Sequence, residues 1–192
     1  MKSYSKPIAA ALLLTFSVCS SVIASSETCP QMSLEEYPRT DGSTACIPLF
    51  ESLAQKVTGC SQIEAEGTLS DLSKTDPSYL KLAEGERDLV LAYEPSKETV
   101  ETLKKYPPLT VNPIGRDALG YSVYYYAANM YRQKDLKLLK ISGIEPCNDT
   151  IQSAEYPLIN EFYCVTGEHS SKEALLIQDW FLTDSGQKYF PY

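Results

Sequence analysis

Asp88-Leu89-Val90-Leu91-Ala92-Tyr93 is an unbroken apolar run behind a single acid, and it narrows the fold more than any other stretch. An alternating pattern would suit a strand with one wet face. A continuous run, closed by Glu94-Pro95-Ser96, predicts a strand buried on both faces, as in a parallel sheet covered by helices. The next residues agree. Ser96 to Tyr106 carries Val100 and Leu103 on one side and Lys97, Glu98, Glu101, Lys104 and Lys105 on the other, which predicts a helix ended by Pro107-Pro108. Leu109 to Ile114 reads as the next strand. Strand, helix, strand is a right-handed parallel unit and predicts an α/β sheet.

Upstream, Tyr37 to Leu49 reads as an extended segment that turns at Asp41-Gly42 and starts a helix behind Ser43-Thr44. Apolar residues then recur at Cys46, Leu49, Phe50, Leu53, Ala54 and Val57, with Glu51, Gln55 and Lys56 on the other face. Pro48 lacks an N–H and belongs in the first turn. Such a helix mouth presents unpaired N–H donors and two hydroxyls, a combination that favours an anion. The plainer alternative is that Ser43 or Thr44 caps its own helix.

Residues 1–24 read as an export signal: Lys2 and Lys6 at the front, a mostly apolar Ile8 to Val18, and compact residues at Val22-Ile23-Ala24. The apolar run is too short for a membrane span. Cys19 offers a lipid anchor as an alternative, although Phe16-Ser17-Val18 before it matches an anchor signal poorly. Residues 25–36 read as a linker. Removing residues 1–24 takes two of the 17 basic residues and none of the 25 acidic ones, so the remainder carries −10 against −8 for the whole chain. That balance argues against nucleic acid and anionic membranes as partners, though a local cluster of N–H donors still suits a small anion. Beyond Cys19 there are five cysteines, Cys29, Cys46, Cys60, Cys147 and Cys164. A helix would hold Cys46 and Cys60 about 20 Å apart, too far for a disulfide; Cys147 with Cys164 is a possible pair, but the cysteines read better as small buried apolar residues than as a disulfide framework. With one histidine, His169, and no Cys-x-x-Cys, no zinc site and no cofactor are expected.

Short helices are predicted at Gln62–Glu66, behind Ser73-Lys74-Thr75-Asp76-Pro77, at Asn148–Ser153 and at Ser185–Tyr189, with a longer amphipathic one at Ser171–Leu182 around Trp180. Strands are expected at Leu136–Ile141 and Tyr156–Thr166. Ahead of them lies a tyrosine cluster, Tyr121 to Tyr131. No basic residue interleaves it before Arg132, so rings packed with their hydroxyls at the rim fit better than a stacking surface for sugars or bases. Asn148-Asp149-Thr150 has the glycosylation pattern.

Several phrases in order carry a resemblance. They are Tyr37-Pro38-Arg39-x-Asp41-Gly42-Ser43-Thr44-Ala45, Leu82-x-x-Gly85-x-x-Asp88-Leu89-Val90-Leu91-x-Tyr93-Glu94-Pro95-Ser96 and Gly120 to Tyr126, then Gly143-Ile144-x-Pro146, Ser153-x-Glu155-Tyr156-Pro157-Leu158 and Ser185-Gly186-Gln187. Over roughly residues 33 to 190 the chain resembles the phosphate-binding solute receptors of ABC transporters, of the type 2 periplasmic-binding-protein fold. In that family two α/β lobes close on the anion. The resemblance implies ligand contacts from Gly42, Ser43, Thr44 and Ala45 at the first helix mouth, from Thr75 in a second loop, and from Glu94 and Ser96 in a third. Glu94 would accept the proton that phosphate carries and sulfate lacks.

The departure is large. Family members carry a further stretch between Arg116-Asp117-Ala118-Leu119 and the tyrosine-rich phrase, and it holds most of the second lobe. Here Leu119 meets Gly120 directly, and no Ser-Gly-Ser or Ser-Gly-Thr occurs to supply the second lobe's helix mouth. The expectation is therefore an α/β fold of essentially one lobe: 37–119 and 142–192 as the first lobe, 120–141 as a remnant of the second. A half-site leaves the anion open to screening water, so the expected affinity is millimolar to micromolar.

The leading functional reading is an extracytoplasmic solute-binding protein for phosphate, working with a membrane permease. A remnant that exposes apolar surface would favour self-association. One alternative is an interaction module that kept the lobe and lost the ligand. Another is a secreted enzyme of unknown class. No nucleophile elbow, phosphate loop or metal cluster supports the latter, but paired carboxylates leave no local pattern.

Overall fold

The computed structural model describes residues 27–121, 125–127 and 140–189. Its centre is a five-stranded sheet. In chain order the strands are β1 (Thr40–Gly42), β2 (Leu89–Tyr93), β3 (Thr110–Tyr121), β4 (Tyr125–Ala127) and β5 (Ile159–Thr166); in space they run β1-β2-β5-β3-β4. The helices are α1 (Ile47–Thr58), α2 (Gln62–Gly67), α3 (Thr75–Ala83), α4 (Lys97–Leu103), α5 (Asn148–Gln152), α6 (Lys172–Phe181) and α7 (Asp184–Tyr189), with a 3-10 turn at Thr44–Cys46. Among the described residues no helix is long and apolar enough to cross a membrane.

The apolar run is the buried strand β2, and its residues divide between two cores. Leu89 and Leu91 join Phe50, Leu53 and Val57 of α1 and Ile177, Trp180 and Phe181 of α6 on one face. Val90 and Ala92 join Tyr79 and Leu82 of α3 and Val165 of β5 on the other. Each large side chain buried in this way contributes about 1.5–3 kcal/mol. Burial on both faces needs helices on both sides, and that part of the sequence pattern holds.

The direction of the neighbours differs from expectation. Only β1 pairs with β2 in parallel. On its other edge β2 pairs antiparallel with β5, and β3 is in turn antiparallel to β5. β2 and β3 therefore point the same way, as the strand-helix-strand pattern requires, but β5 lies between them. Periodicity reports which faces are covered and cannot report which strand lies alongside.

Two local expectations are corrected. Asp41-Gly42 is not a turn but the end of β1, with both residues buried and Gly42 in register with Leu91. Val100 faces out rather than into a core, at 42% exposure. β3 is also longer than expected. It runs through a register shift between Pro113 and Gly115, where a Cβ on Gly115 would lie 2.5 Å from the Phe162 ring. The junction between Leu119 and Gly120 falls inside this strand and its pairing with β4. Most of Tyr121 to Tyr131, and all but the end of Leu136–Ile141, lie outside the described residues.

The cysteines form no disulfide among the described residues. Cys46 and Cys164 are buried, Cys29 and Cys60 half-buried, and Cys147 exposed. Cys164 sits in β5 at the middle of the sheet, which separates it from the exposed Cys147 and removes that candidate pair.

Candidate functional site

Three helix starts meet at the carboxyl ends of β1 and β2. The first comes directly after β1. Ser43 donates its amide to Leu91 O at 3.0 Å, which ties the strand end to β2. Its hydroxyl then accepts from the amide of Ala45 at 3.2 Å, and its carbonyl accepts from Cys46 at 2.9 Å. Ser43 is thus the cap that the plainer alternative predicts. Thr44 is exposed, and neither its amide nor its hydroxyl is engaged among the described residues.

The side chain that organises the site is Asp41, which local pattern alone places in a turn. It is fully buried. One carboxylate oxygen accepts the amides of Gly42 and Ser73, each at 2.7 Å, and the other accepts the Ser73 hydroxyl. Arg87 Nε stands 3.4 Å from that second oxygen, and the Arg87 guanidinium also reaches Asp71 at 2.6 Å. A buried carboxylate is stable only when paired and hydrogen-bonded in this way. Asp41 therefore fastens the end of β1 to the loop that begins α3. An Asp before Gly gives no sequence sign of this role, because the partner lies 32 residues away.

α3 starts from Lys74, whose backbone has φ 73° and ψ 176°. That region is one a side chain seldom occupies outside a site that imposes it. Here Asp41 holds the residue before, and Lys74 O accepts the amide of Ser78 at 3.1 Å. Thr75, the first helical residue, is half-buried and uses only its carbonyl, toward the Ser78 hydroxyl at 2.7 Å. Its amide and hydroxyl are unengaged among the described residues.

The third start is α4. Ser96 caps it by accepting from the Thr99 amide at 3.3 Å, and the Ser96 amide donates to Asp76 Oδ1 at 2.7 Å. Asp76, in the first turn of α3, thereby links the second and third loops. Glu94 is exposed and makes no hydrogen bond or ion pair among the described residues. Its charge is felt by Tyr79 and Tyr163, whose hydroxyls burial first, and then neighbouring negative groups, push above the usual tyrosine range.

The seven candidate residues thus lie in three loops joined by two carboxylates: Asp41 bridges the first to the second, and Asp76 the second to the third. Their free donors are fewer than seven. The amides of Gly42, Ser43, Ala45 and Ser96 already have acceptors, while Thr44 and Thr75 keep theirs open. Asp41, Lys74, Asp76 and Arg87 complete the arrangement. The edge is the usual ligand position in open α/β sheets, outside the carboxyl ends of the strands. His169 is elsewhere. It is exposed beside Gly85, in the loop after β5, and antiparallel pairing puts that loop at the opposite end of β2. Arg116 is also occupied, in an ion pair with Glu161 at 3.0 Å. Among the described residues no group of three or more His, Cys, Asp or Glu side chains is arranged to hold a metal.

The architecture is a single open α/β sheet with helices on both faces and helix starts gathered at one strand edge, and its likeness to a periplasmic-binding-protein-like fold rests on comparison with solved structures. One neighbour is from Clostridium perfringens and is assigned as a phosphate ABC transporter substrate-binding protein, with phosphate bound. It aligns at a TM-score of 0.56 and 12% identity, over 78% of this chain and 94% of its own. Another, from Planctomyces limnophilus, is described as a possible phosphate binding protein; it aligns at 0.52 and 15% identity, over 78% and 88%. Scans of the sequence against known families and against curated proteins find no match.

Proposed function

We propose that this chain is an extracytoplasmic solute-binding protein that takes phosphate or a similar small oxyanion and passes it to the membrane permease of an ABC transporter. The observation that carries this reading is that Asp41 ties the loop after β1, which holds Thr44, to the loop that begins α3, which holds Thr75, while the amide and hydroxyl of both threonines are unengaged among the described residues. N–H groups at helix starts favour an anion through their own donors and through the helix dipole. The exposed ammonium of Lys74 stands beside Thr75 in sequence and adds a positive charge. Glu94 serves as acceptor for a phosphate proton. That phosphate is named for both fold neighbours, and bound in one, supports the choice of anion.

Within this reading residues 1–24 direct export, with Cys19 as an alternative lipid anchor, and 25–36 link the signal to the lobe. Residues 37–119 and 142–192 form the lobe that holds the anion. Residues 120–141 are what remains of the second lobe, and self-association through them would shield the open side.

Isothermal titration of residues 25–192 with phosphate, and in parallel with sulfate, tests the proposal. Saturable binding of phosphate in preference to sulfate is expected. Thr75→Val should weaken it about tenfold, the effect of one hydrogen bond to a charged group. Absence of heat at high protein concentration would overturn it.

A further inference from the structure

On the α3 side of the sheet an open groove of about 600 Å³ runs between α4 and the strands β3 and β5. That volume is within the range of small-molecule sites, roughly 300–1,000 Å³. Its walls are apolar and aromatic: Leu103 and Val100 from α4, Val111 from β3, and the rings of Tyr79, Tyr106 and Tyr163. Val111 is 46% exposed, so the groove leaves hydrocarbon facing water.

The polar groups around it are few, and most already have partners. The tyrosine hydroxyls are all turned to acceptors: Tyr79 to Tyr93 O at 3.2 Å, Tyr106 to Glu84 at 2.8 Å and Tyr163 to Glu161 at 3.1 Å. The groove thus offers ring surface rather than hydroxyl donors. Lys104, the cation in its lining, is held by Glu101 at 2.6 Å. Glu94 is the lining carboxylate with no partner among the described residues. An anion has little to bind here. A ligand with an apolar body and a positive charge matches both the walls and the carboxylate, since a cation is attracted to the negative faces of aromatic rings.

We infer that this groove is a second binding site, for a small organic ammonium ion, with the charge at Glu94 and the hydrocarbon against Tyr106, Tyr163 and Val111. It does not rest on the anion reading. Glu94 is also the proton acceptor of the anion reading, so the phosphate titration is read separately from this one.

Benzyltrimethylammonium is a suitable probe, with neopentylbenzene as its neutral carbon isostere. Saturation-transfer NMR and titration should show saturable one-to-one binding of the ammonium, with the isostere about tenfold weaker. Glu94→Gln should reduce ammonium affinity by a similar factor and leave the isostere unchanged. Because Glu94 is exposed and has no partner among the described residues, that variant should melt at the wild-type temperature, which separates a lost charge from a lost fold. Equal binding of ammonium and isostere, an unchanged Glu94→Gln affinity, or no binding of the ammonium would each overturn the inference.

Discussion

Asp41 and Asp88 show how one residue type does two jobs at opposite ends of the same pair of strands. Asp41 is sealed and gathers amides at the carboxyl edge of the sheet. Asp88 sits at the other end of β2, where both of its oxygens meet the Arg39 guanidinium, at 2.8 and 2.9 Å, and one also accepts the Arg39 amide at 2.9 Å. Burial works against ionisation of Asp88, but those hydrogen bonds outweigh it and hold its pKa below the ordinary 3.8. A depressed folded pKa means that the stabilisation is present above the unfolded value and is lost as pH falls through the folded one. Asp88→Asn is expected to cost about 1–2 kcal/mol at neutral pH, discounted because Arg39 is half-exposed. Urea unfolding near neutrality and again at about pH 3 checks this, since the gap from wild type should narrow in acid. An equal loss at both pH values would remove the ion pair from the account.

At the scale of elements, β1 lies against β2 only because residue 42 has no side chain. A Cβ there would come within 1.9 Å of Leu91 O, and the backbone has φ +150°. Gly42→Ala must push β1 away from β2 and carry Ser43 and the 3-10 turn with it. The expected loss is about 2–4 kcal/mol, the sum of backbone strain and a forced shift in a packed layer. Denaturant unfolding measures it; an unchanged midpoint would contradict the close approach.

The same junction marks the limit of what local pattern can tell. The apolar run at Leu89–Tyr93 and the helices that follow Ser96 and Ser171, the second around Trp180, are all visible in the sequence, and the structure contains them, with both serines as caps rather than first helical residues. Asp-Gly reads as a turn because that dipeptide serves turns far more often than close strand packing. The insertion of β5 between β2 and β3 is a tertiary choice with no local mark. Within the candidate site, the capping role of Ser43 is legible, but the two carboxylates that tie its loops together are not, because each acts on a partner at least twenty residues distant.

Taken as a whole, the molecule carries −8, and the candidate edge itself sets Lys74 and Arg87 among Asp41, Asp71, Asp76 and Glu94 beside three helix starts. In the proposed reading the anion is drawn by the unpaired donors of Thr44 and Thr75, which act at close range, while net charge is screened over longer distances. The aromatic groove on the α3 side, with Glu94 in its lining, is inferred to have the opposite preference. The central claim is that the edge seats an oxyanion between Thr44 and Thr75. A crystal structure of the protein grown with phosphate tests it most directly. The account predicts tetrahedral density within hydrogen-bond reach of both threonine hydroxyls and of the amides of Thr44 and Thr75. A clean map at that edge under saturating phosphate, or phosphate seated only elsewhere, would contradict it.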